Sequence, residues 1–574
     1  MNTRITKLLV LVLALVMALS VLAGCVNTDP TTAPTEAPTT QTQAPSTQET
    51  EAPEDKGITF PLAEPYYIDI MFAGSTDIAG QLAKSSYYKQ LCEQTNVFIN
   101  PIMLGDDPVG SLNAKLVAKD YGKAIMGGVL SDTNVGELAY GGWLLPLEGY
   151  LTDEDLMPNY VTRGLSDVPG AVGFATIPDG HCYGIPRIDN NLVTYMSMPL
   201  IVNTNWMAQA GLSDVATIEK FEQYLKYIKE NDVNGNGNPN DEIPLLVVGN
   251  SKLDSNSNIQ ALFQWWGMPT KDATNDSYAF IKDGKVELVP VTQGYKDAVS
   301  TIAKWYKEGW LWSECYTTNK ETYSARLNSE TPIWGAALTR KMPTQHAYAK
   351  EQLAYVAPPA IEGYEARIYV NPGVFGYKNT FFLTNKCTEE DARIIMAWVD
   401  TFYSEEGTQN AMANLETDEK ALYKWEDGKV VDLTKEWTEE EYNQVLEENP
   451  TMLNIMGSYL YLRNSDWYEN VIPVSATNQV LWDTYNNIYK NYWNNEIWPR
   501  PTFTEEATED VAFYQTDVYA IINEYEAKWV TGASDINADW DAYIAKMEKA
   551  GSKELTALLQ EAYDVYLQNY KAAE

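Results

Sequence analysis

The chain has 574 residues, a formal net charge of −38, and an aromatic load of 38 Tyr and 17 Trp. So acidic a chain is excluded as a nucleic-acid binder, because neutralising phosphates requires clustered Lys and Arg. With His181 and His346 as its only histidines, it is a poor vehicle for a His-dependent triad or a His-rich zinc site.

Taken in chain order, the first signal is Arg4 and Lys7 ahead of an apolar run from Leu8 to Leu22, closed by Leu22-Ala23-Gly24-Cys25. A basic start, a short apolar stretch and small residues before a break make residues 1–24 a secretory signal. The run falls short of the roughly 20 apolar residues a spanning helix needs. The Leu-Ala-Gly-Cys ending resembles the lipobox of bacterial lipoproteins. That resemblance implies that Cys25 carries a diacylglycerol with palmitate-type chains and becomes the mature N-terminus. The expected location is the bacterial cell surface, outside the cytoplasm and anchored to the cell membrane by lipid alone. Residues 25–56 are rich in Thr and Pro and lack aromatic residues. Such a stretch buries too little apolar surface to offset its ordering entropy, so it reads as a disordered stalk. At about 3.1 Å per residue it reaches on the order of 90 Å if fully polyproline-like.

From Gly57 to Glu574 the length exceeds what one hydrophobic core usually supports, so two lobes are expected. Tyr66 to Phe72 alternates like a strand, a helix is expected from Lys84 to Gln94, and Val97 to Met103 reads as a second strand. Tyr183 to Ile188 reads as a crossover between lobes. Farther on, Phe221, Tyr224, Leu225 and Ile228 share a helical face, with Thr217 as N-cap. Tyr295, Val299, Ile302 and Tyr306 form another such face. The last hundred residues or so read as helical, with Val518, Ile521, Ile522 and Tyr525 on one stripe and Trp540, Tyr543, Ile544 and Met547 on the next. The expected division is 57–185 with about 333–375 in lobe 1, and 186–332 with about 376–574 in lobe 2. Alternation of strands and helices makes the fold class α/β with open mixed sheets and a helical C-terminal extension. Cys92, Cys182, Cys315 and Cys387 are widely spaced and read as buried free thiols.

The order of several short motifs resembles a family. They begin with Trp143-Leu144-Leu145-Pro146-Leu147, Met157-Pro158-Asn159 and Asp179-Gly180-His181-Cys182-Tyr183-Gly184-Ile185-Pro186. Asn234 to Pro244, Asp283-Gly284-Lys285-Val286 and Trp305 to Leu311 follow, then Lys528-Trp529-Val530-Thr531-Gly532. Together they resemble the extracellular solute-binding lipoproteins of ABC importers (family 1), in the long, oligosaccharide-type branch. The resemblance implies a two-lobed, periplasmic-binding-protein-like (type II) fold. The family's acidic and Arg positions near the Asp-Trp-Leu-like segment are Asn203 and Asn205 here, and Ala411 to Thr417 replaces a Gly-rich stretch. A ligand different from the family's usual one is implied.

Asp232 to Glu242 matches D-x-N-x-N-G, the opening of an EF-hand-type loop whose alternate oxygens converge on Ca²⁺. The expected donors are Asp232, Asn234 and Asn236 by side chain, Asn238 by backbone carbonyl, and Asp241 and Glu242. Position 12 of a true EF-hand is Glu, whereas here it is Ile243. The competing reading is a polar Asn-Gly turn that holds no ion.

For a solute, sugar rings need flat apolar platforms and planar hydrogen-bonding groups. The candidates are Tyr183, Asn190, Asn191 and Tyr195 at or after the crossover, with Trp265, Trp266, Trp334, Trp467 and Tyr468 in loop-like contexts. Against each Trp stands burial in a lobe core. The expected function is a monomeric, non-enzymatic protein that closes around an oligosaccharide and delivers it to an ABC transporter permease. The alternatives are a lipid-anchored glycoside hydrolase, since acidic residues are abundant, or the peptide-binding component of a related importer.

Overall fold

The computed structural model describes residues 57–574 apart from 191–197, 250–256, 270–277, 370–376, 458–459, 472–475 and positions 341, 344, 495, 497 and 574. The signal, Cys25 and the stalk lie outside the described residues. Asp55–Glu574 forms one compact unit. Among the described residues, no helix is long and apolar enough to cross a membrane.

In chain order the strands are β1 (Tyr66–Phe72), β2 (Val97–Met103), β3 (Ala124–Met126), β4 (Leu200–Asn203) and β5 (Ile243–Leu246). They continue with β6 (Ala279–Lys282), β7 (Lys285–Leu288), β8 (Trp334–Leu338), β9 (Leu353–Val356), β10 (Ile368–Tyr369) and β11 (Phe381–Leu383). β12 (Tyr423–Glu426), β13 (Lys429–Asp432) and β14 (Trp493–Asn494) complete the set. The first main sheet runs β11-β3-β1-β2, with β1 parallel to β2 and β3, and β11 antiparallel to β3. The second runs β5-β8-β4-β9, with β5 parallel to β8, and β4 antiparallel to β8 and β9. Each sheet is therefore mixed and anchors one lobe.

This pairing reverses part of the expected division. β8 and β9 fall within 333–375, assigned to lobe 1, yet they pair with β4 in the second sheet. β11 falls within 376–574, assigned to lobe 2, yet it pairs with β3 in the first. The reason is that β8 and β11 are short runs buried along their whole length. A fully apolar strand carries no alternation to say which sheet it joins.

Local chemistry accounts for the helices. In Ile218–Glu230 the Thr217 hydroxyl accepts from the Lys220 amide, and Phe221, Tyr224, Leu225 and Ile228 are buried. In Gln293–Lys307, Tyr295, Val299 and Ile302 are buried, but Trp305 completes the inner face and Tyr306 is half-exposed. The helix expected from about Lys84 to Gln94 is Ser86–Thr95, and a second helix that was not expected, Ile78–Lys84, precedes it. Ser85 divides them: its extended backbone stops the first, and its hydroxyl caps the second at the Tyr88 amide.

The C-terminal extension consists of helices Glu505–Val530, Ile536–Lys549 and Ser552–Ala573. Glu505–Val530 packs on Gln293–Lys307 of lobe 2 and on Asp132–Tyr140 of lobe 1. Ser552–Ala573 packs on Ala171–Ala175 and on β7. The extension thus braces both lobes.

Three segments pass side by side between the sheets. Segment 184–190 lies in the middle. On one flank the Ile185 amide donates to Phe381 O (3.0 Å) and the Arg187 amide to Tyr377 O (3.1 Å). On the other flank the Arg463 amide donates to Ile188 O (3.0 Å) and the Asn190 amide to Arg463 O (2.7 Å).

Candidate functional site

The crossing segments converge on a buried carboxylate. Asp189 is 2% exposed. It accepts from Arg463 Nη2 at 2.5 Å, Tyr468 OH at 2.7 Å and Tyr461 OH at 3.1 Å, with Arg187 Nη2 at 3.8 Å. Removing a carboxylate from water is expensive unless charge and hydrogen bonds compensate, and here two guanidiniums and two phenols do so. Burial alone would raise the Asp189 pKa, but Arg463 and Arg187 outweigh it and hold the carboxyl below its ordinary range. Arg187 also lies against Tyr377, its guanidinium carbon 4.2 Å from the ring centroid. Tyr377 nevertheless remains 46% exposed. The Tyr377 ring is thus backed by a buried cation on one side and partly open to solvent at the crossing.

Among the expected solute residues, Asn190 and Tyr468 come together here. Asn190 Nδ2 donates to Asp167 Oδ2 (2.8 Å) and Ser465 Oγ (3.0 Å), fixing the exit of the middle segment. Asn191 and Tyr195 lie outside the described residues. The tryptophans go elsewhere. Trp265 is buried against Phe221 and Trp305, with ring centroids 5.4 and 6.2 Å away. Trp266 is stacked on Trp265 and reaches only a separate hollow beside Tyr364 and Arg367. Trp334 is buried, its Nε1 donating to Leu327 O at 3.2 Å. Trp467 is fully buried with Tyr423 and Val430. Apolar area drives such rings inward wherever a core accepts them, and all four are buried, with Trp266 alone lining a hollow. Tyr183 donates to Asp179 Oδ2 (2.9 Å) beside His181, within lobe 1.

Sequence reasoning missed Arg187, Asp189, Tyr377, Tyr461 and Arg463. A signal was available: Arg187 and Asp189 alternate with Pro186 and Ile188 in a segment too apolar to be surface loop. The four described cysteines are free thiols. Cys182 and Cys315 are buried, as expected, but Cys92 and Cys387 are only half-buried.

The Asn/Asp loop is a second polar site. Asp232 accepts from the amides of Gly235 (2.8 Å), Asn236 (3.1 Å) and Gly237 (2.7 Å). Gly235 and Gly237 both take positive φ, which lets the backbone wrap the carboxylate. The side-chain amides of Asn234 and Asn236 donate to the two oxygens of Asp241, at 3.3 and 2.6 Å. Glu242 accepts from the Asn234 backbone amide on Oε1 (3.3 Å), while its buried Oε2 has no hydrogen-bond partner among the described residues. Burial pushes the Glu242 carboxyl up, and the charges of Asp241 and Asp232 add to it. Among the described residues no three His, Cys, Asp or Glu side chains are gathered tightly enough to hold a metal. The donor set still fits calcium: all oxygen, with one buried carboxylate oxygen in need of a partner. Rotating the Asn234 and Asn236 amides would turn their oxygens inward.

No family model matches the chain. It is 24% identical over 526 residues to the fructooligosaccharide ABC transporter substrate-binding protein FusA of Streptococcus pneumoniae, covering 90% of this chain and 93% of that one. The chain is a homologue of ABC-transporter substrate-binding proteins. The structure of FusA in complex with kestose matches at a TM-score of 0.66, with 21% identity over 88% of this chain and 100% of that one. An HMO-binding, ABC-transporter-associated solute-binding protein from Bifidobacterium longum infantis matches at 0.71, with 17% identity over 88% and 99% of the two chains. Lipoprotein LipO of Bacillus subtilis is 31% identical over 133 residues, 23% of this chain and 24% of that protein. The homologue's two-lobed binding-protein fold is shared, and FusA and the Bifidobacterium protein are substrate- or solute-binding proteins rather than enzymes.

Proposed function

We propose that this protein captures an oligosaccharide between its two lobes and delivers it to the permease of an ABC importer. The observation that carries this reading is the triple crossing with the exposed Tyr377 ring held over Arg187. Crossing strands supply a hinge, and a ligand that contacts both lobes shifts the population toward the closed state. FusA is described with kestose bound, which supports a saccharide as the ligand class. Hydrogen-bonding side chains around the crossing complement hydroxyl groups, and an aromatic platform complements the apolar face of a sugar ring. In this reading Asn191 and Tyr195 remain candidate contacts beside Asn190 and Tyr468. The test is a thermal-shift and hydrolysis screen of the purified protein against neutral and acidic glycans and peptides. A saccharide-induced rise in melting temperature without turnover is expected. Glycan cleavage would return the hydrolase reading, and a rise with peptides alone would return the peptide reading.

Export and anchoring belong to the same proposal: residues 1–24 are removed, Cys25 is lipidated, and 25–56 tether a monomer to the membrane. LipO's description as a lipoprotein supports it. Cys25→Ser is expected to release the protein from the membrane fraction into the medium. Calcium at Asp232, Asn234, Asn236, Asn238, Asp241 and Glu242 completes the reading, supported by the unpartnered Glu242 oxygen and by the existence of an EF-hand mutant of FusA. Bound there, the ion would supply positive charge that holds the turn between helix Ile218–Glu230 and β5. It would take no part in ligand chemistry.

A further inference from the structure

Beside the crossing lies a cavity of about 300 Å³, walled by helix Asp132–Tyr140 of lobe 1 and by the segment from Trp498 to Glu509 that leads into the C-terminal extension. We infer that this cavity is a subsite for one neutral, hydroxyl-rich sugar unit of the captured oligosaccharide, and that its carboxylates reject acidic glycans. The inference rests on the saccharide-capture reading and adds to it both a place and a charge preference.

Its position follows from topology. Helix Asp132–Tyr140 follows β3, which lies parallel to β1, so the helix starts beyond the carboxyl ends of the parallel strands. In open α/β sheets that edge is where ligands bind. The cavity wall is also tied to the crossing. Asn379 Nδ2 donates to Asp132 Oδ1 at 3.2 Å, and Lys378 donates through Nζ to the Arg500 carbonyl. Both residues directly follow Tyr377 in the chain, so the segment that carries the exposed ring also holds the cavity wall at Asp132 and Arg500.

Its chemistry follows from the lining. Tyr140, Trp498 and Phe503 supply rings, while Asp132, Glu137, Glu505 and Glu509 supply carboxylates facing a single guanidinium, Arg500. None of the four carboxylates makes an ion pair among the described residues. Nor are they gathered as a metal cage would gather them. Spread around a cavity at the small end of the ligand range, they are instead acceptors for separate hydroxyl donors. Burial, with the charges of Asp179 and Glu505, pushes the Tyr140 phenol up to about 12, and its hydroxyl makes only a long bond, 3.4 Å, to the Phe503 carbonyl. An acidic sugar would meet mostly like charge at these carboxylates, which is unfavourable.

Gly136 offers a clean test, because a Cβ built there makes only ordinary contacts, 3.6 Å to Tyr140 and 3.8 Å to Thr502. The full folded protein and its Gly136→Leu, Glu137→Gln and Glu509→Gln variants are titrated with a panel of neutral oligosaccharides (kestose, nystose, maltotriose, lacto-N-tetraose) and acidic ones (alginate and hyaluronan fragments). Circular dichroism and melting temperature confirm that each variant is folded. For the neutral glycan bound best by the parent, Gly136→Leu is expected to weaken binding at least tenfold, and each Gln variant about threefold to tenfold. Acidic fragments are expected not to bind. Unchanged affinity in the three variants, or preference for acidic fragments, overturns the inference and leaves saccharide capture standing. Absence of any saccharide binding by the parent overturns capture itself.

Discussion

Two regions of this molecule withdraw carboxylates from water, and they do so in opposite ways. At the crossing, Asp189 is enclosed by Arg463, Arg187 and two phenols, and its pKa falls. In the Asn/Asp loop, Glu242 is buried beside Asp232 and Asp241 and makes no ion pair among the described residues, and its pKa rises. The difference teaches what each region does. A carboxylate neutralised by its own fold is structural, whereas one left without an ion pair is the candidate donor for the calcium proposed above.

The comparison breaks most visibly if the crossing loses its cation. Arg463→Met leaves Asp189 buried beside the more distant Arg187, and we expect a loss of about 3–5 kcal/mol in chemical denaturation. Adding Asp189→Asn should recover a large part of it, and a single-variant loss below about 1 kcal/mol would show that the cluster is not the clasp described here. Next in size, calcium at about 100 times its dissociation constant should stabilise the parent by about 2.7 kcal/mol. Glu242→Gln should remove most of that gain, measured as the calcium-dependent shift in melting temperature.

A pH series sharpens the contrast, because the two regions have opposite signs. Asp189 titrates lower in the folded state than its ordinary 3.8, so its contribution is full above that value and is lost as the pH falls through the folded pKa. Glu242 titrates higher in the folded state than its ordinary 4.5. Without calcium, its contribution is therefore full below 4.5 and is lost as the pH rises through the raised pKa. Glu242→Gln should remove a stability decline on the rising side without altering the acid limb, and Asp189→Asn should do the reverse. The smallest effect on folding is expected from Tyr377→Ala. Losing a half-exposed ring over Arg187 should cost about 0.5–1 kcal/mol in stability, while ligand affinity drops about tenfold. Equal affinity in this variant would remove Tyr377 from the site.

Much of the secondary structure was legible because each helix carries its own periodic evidence. Phe221 to Ile228 and Val518 to Ile522 are buried at helical spacing, and Thr217 caps the helix it precedes. The aromatic candidates were less legible. A tryptophan in an aperiodic stretch looks the same in sequence whether it faces a cleft or, as with Trp265 and Trp467, fills a core. Tyr377 was overlooked because its significance comes from Arg187, far away in the chain.

The sequence by itself determined the basic-apolar-Cys start, the acidic surface, the helical faces and the oxygen-rich loop, since each depends on residues close together along the chain. Tertiary structure alone decided which sheet receives β8 and which β11, which rings stay open, and which cation answers Asp189. Those outcomes depend on contacts between residues far apart in sequence, where burial and charge compensation act through space and leave no local pattern behind.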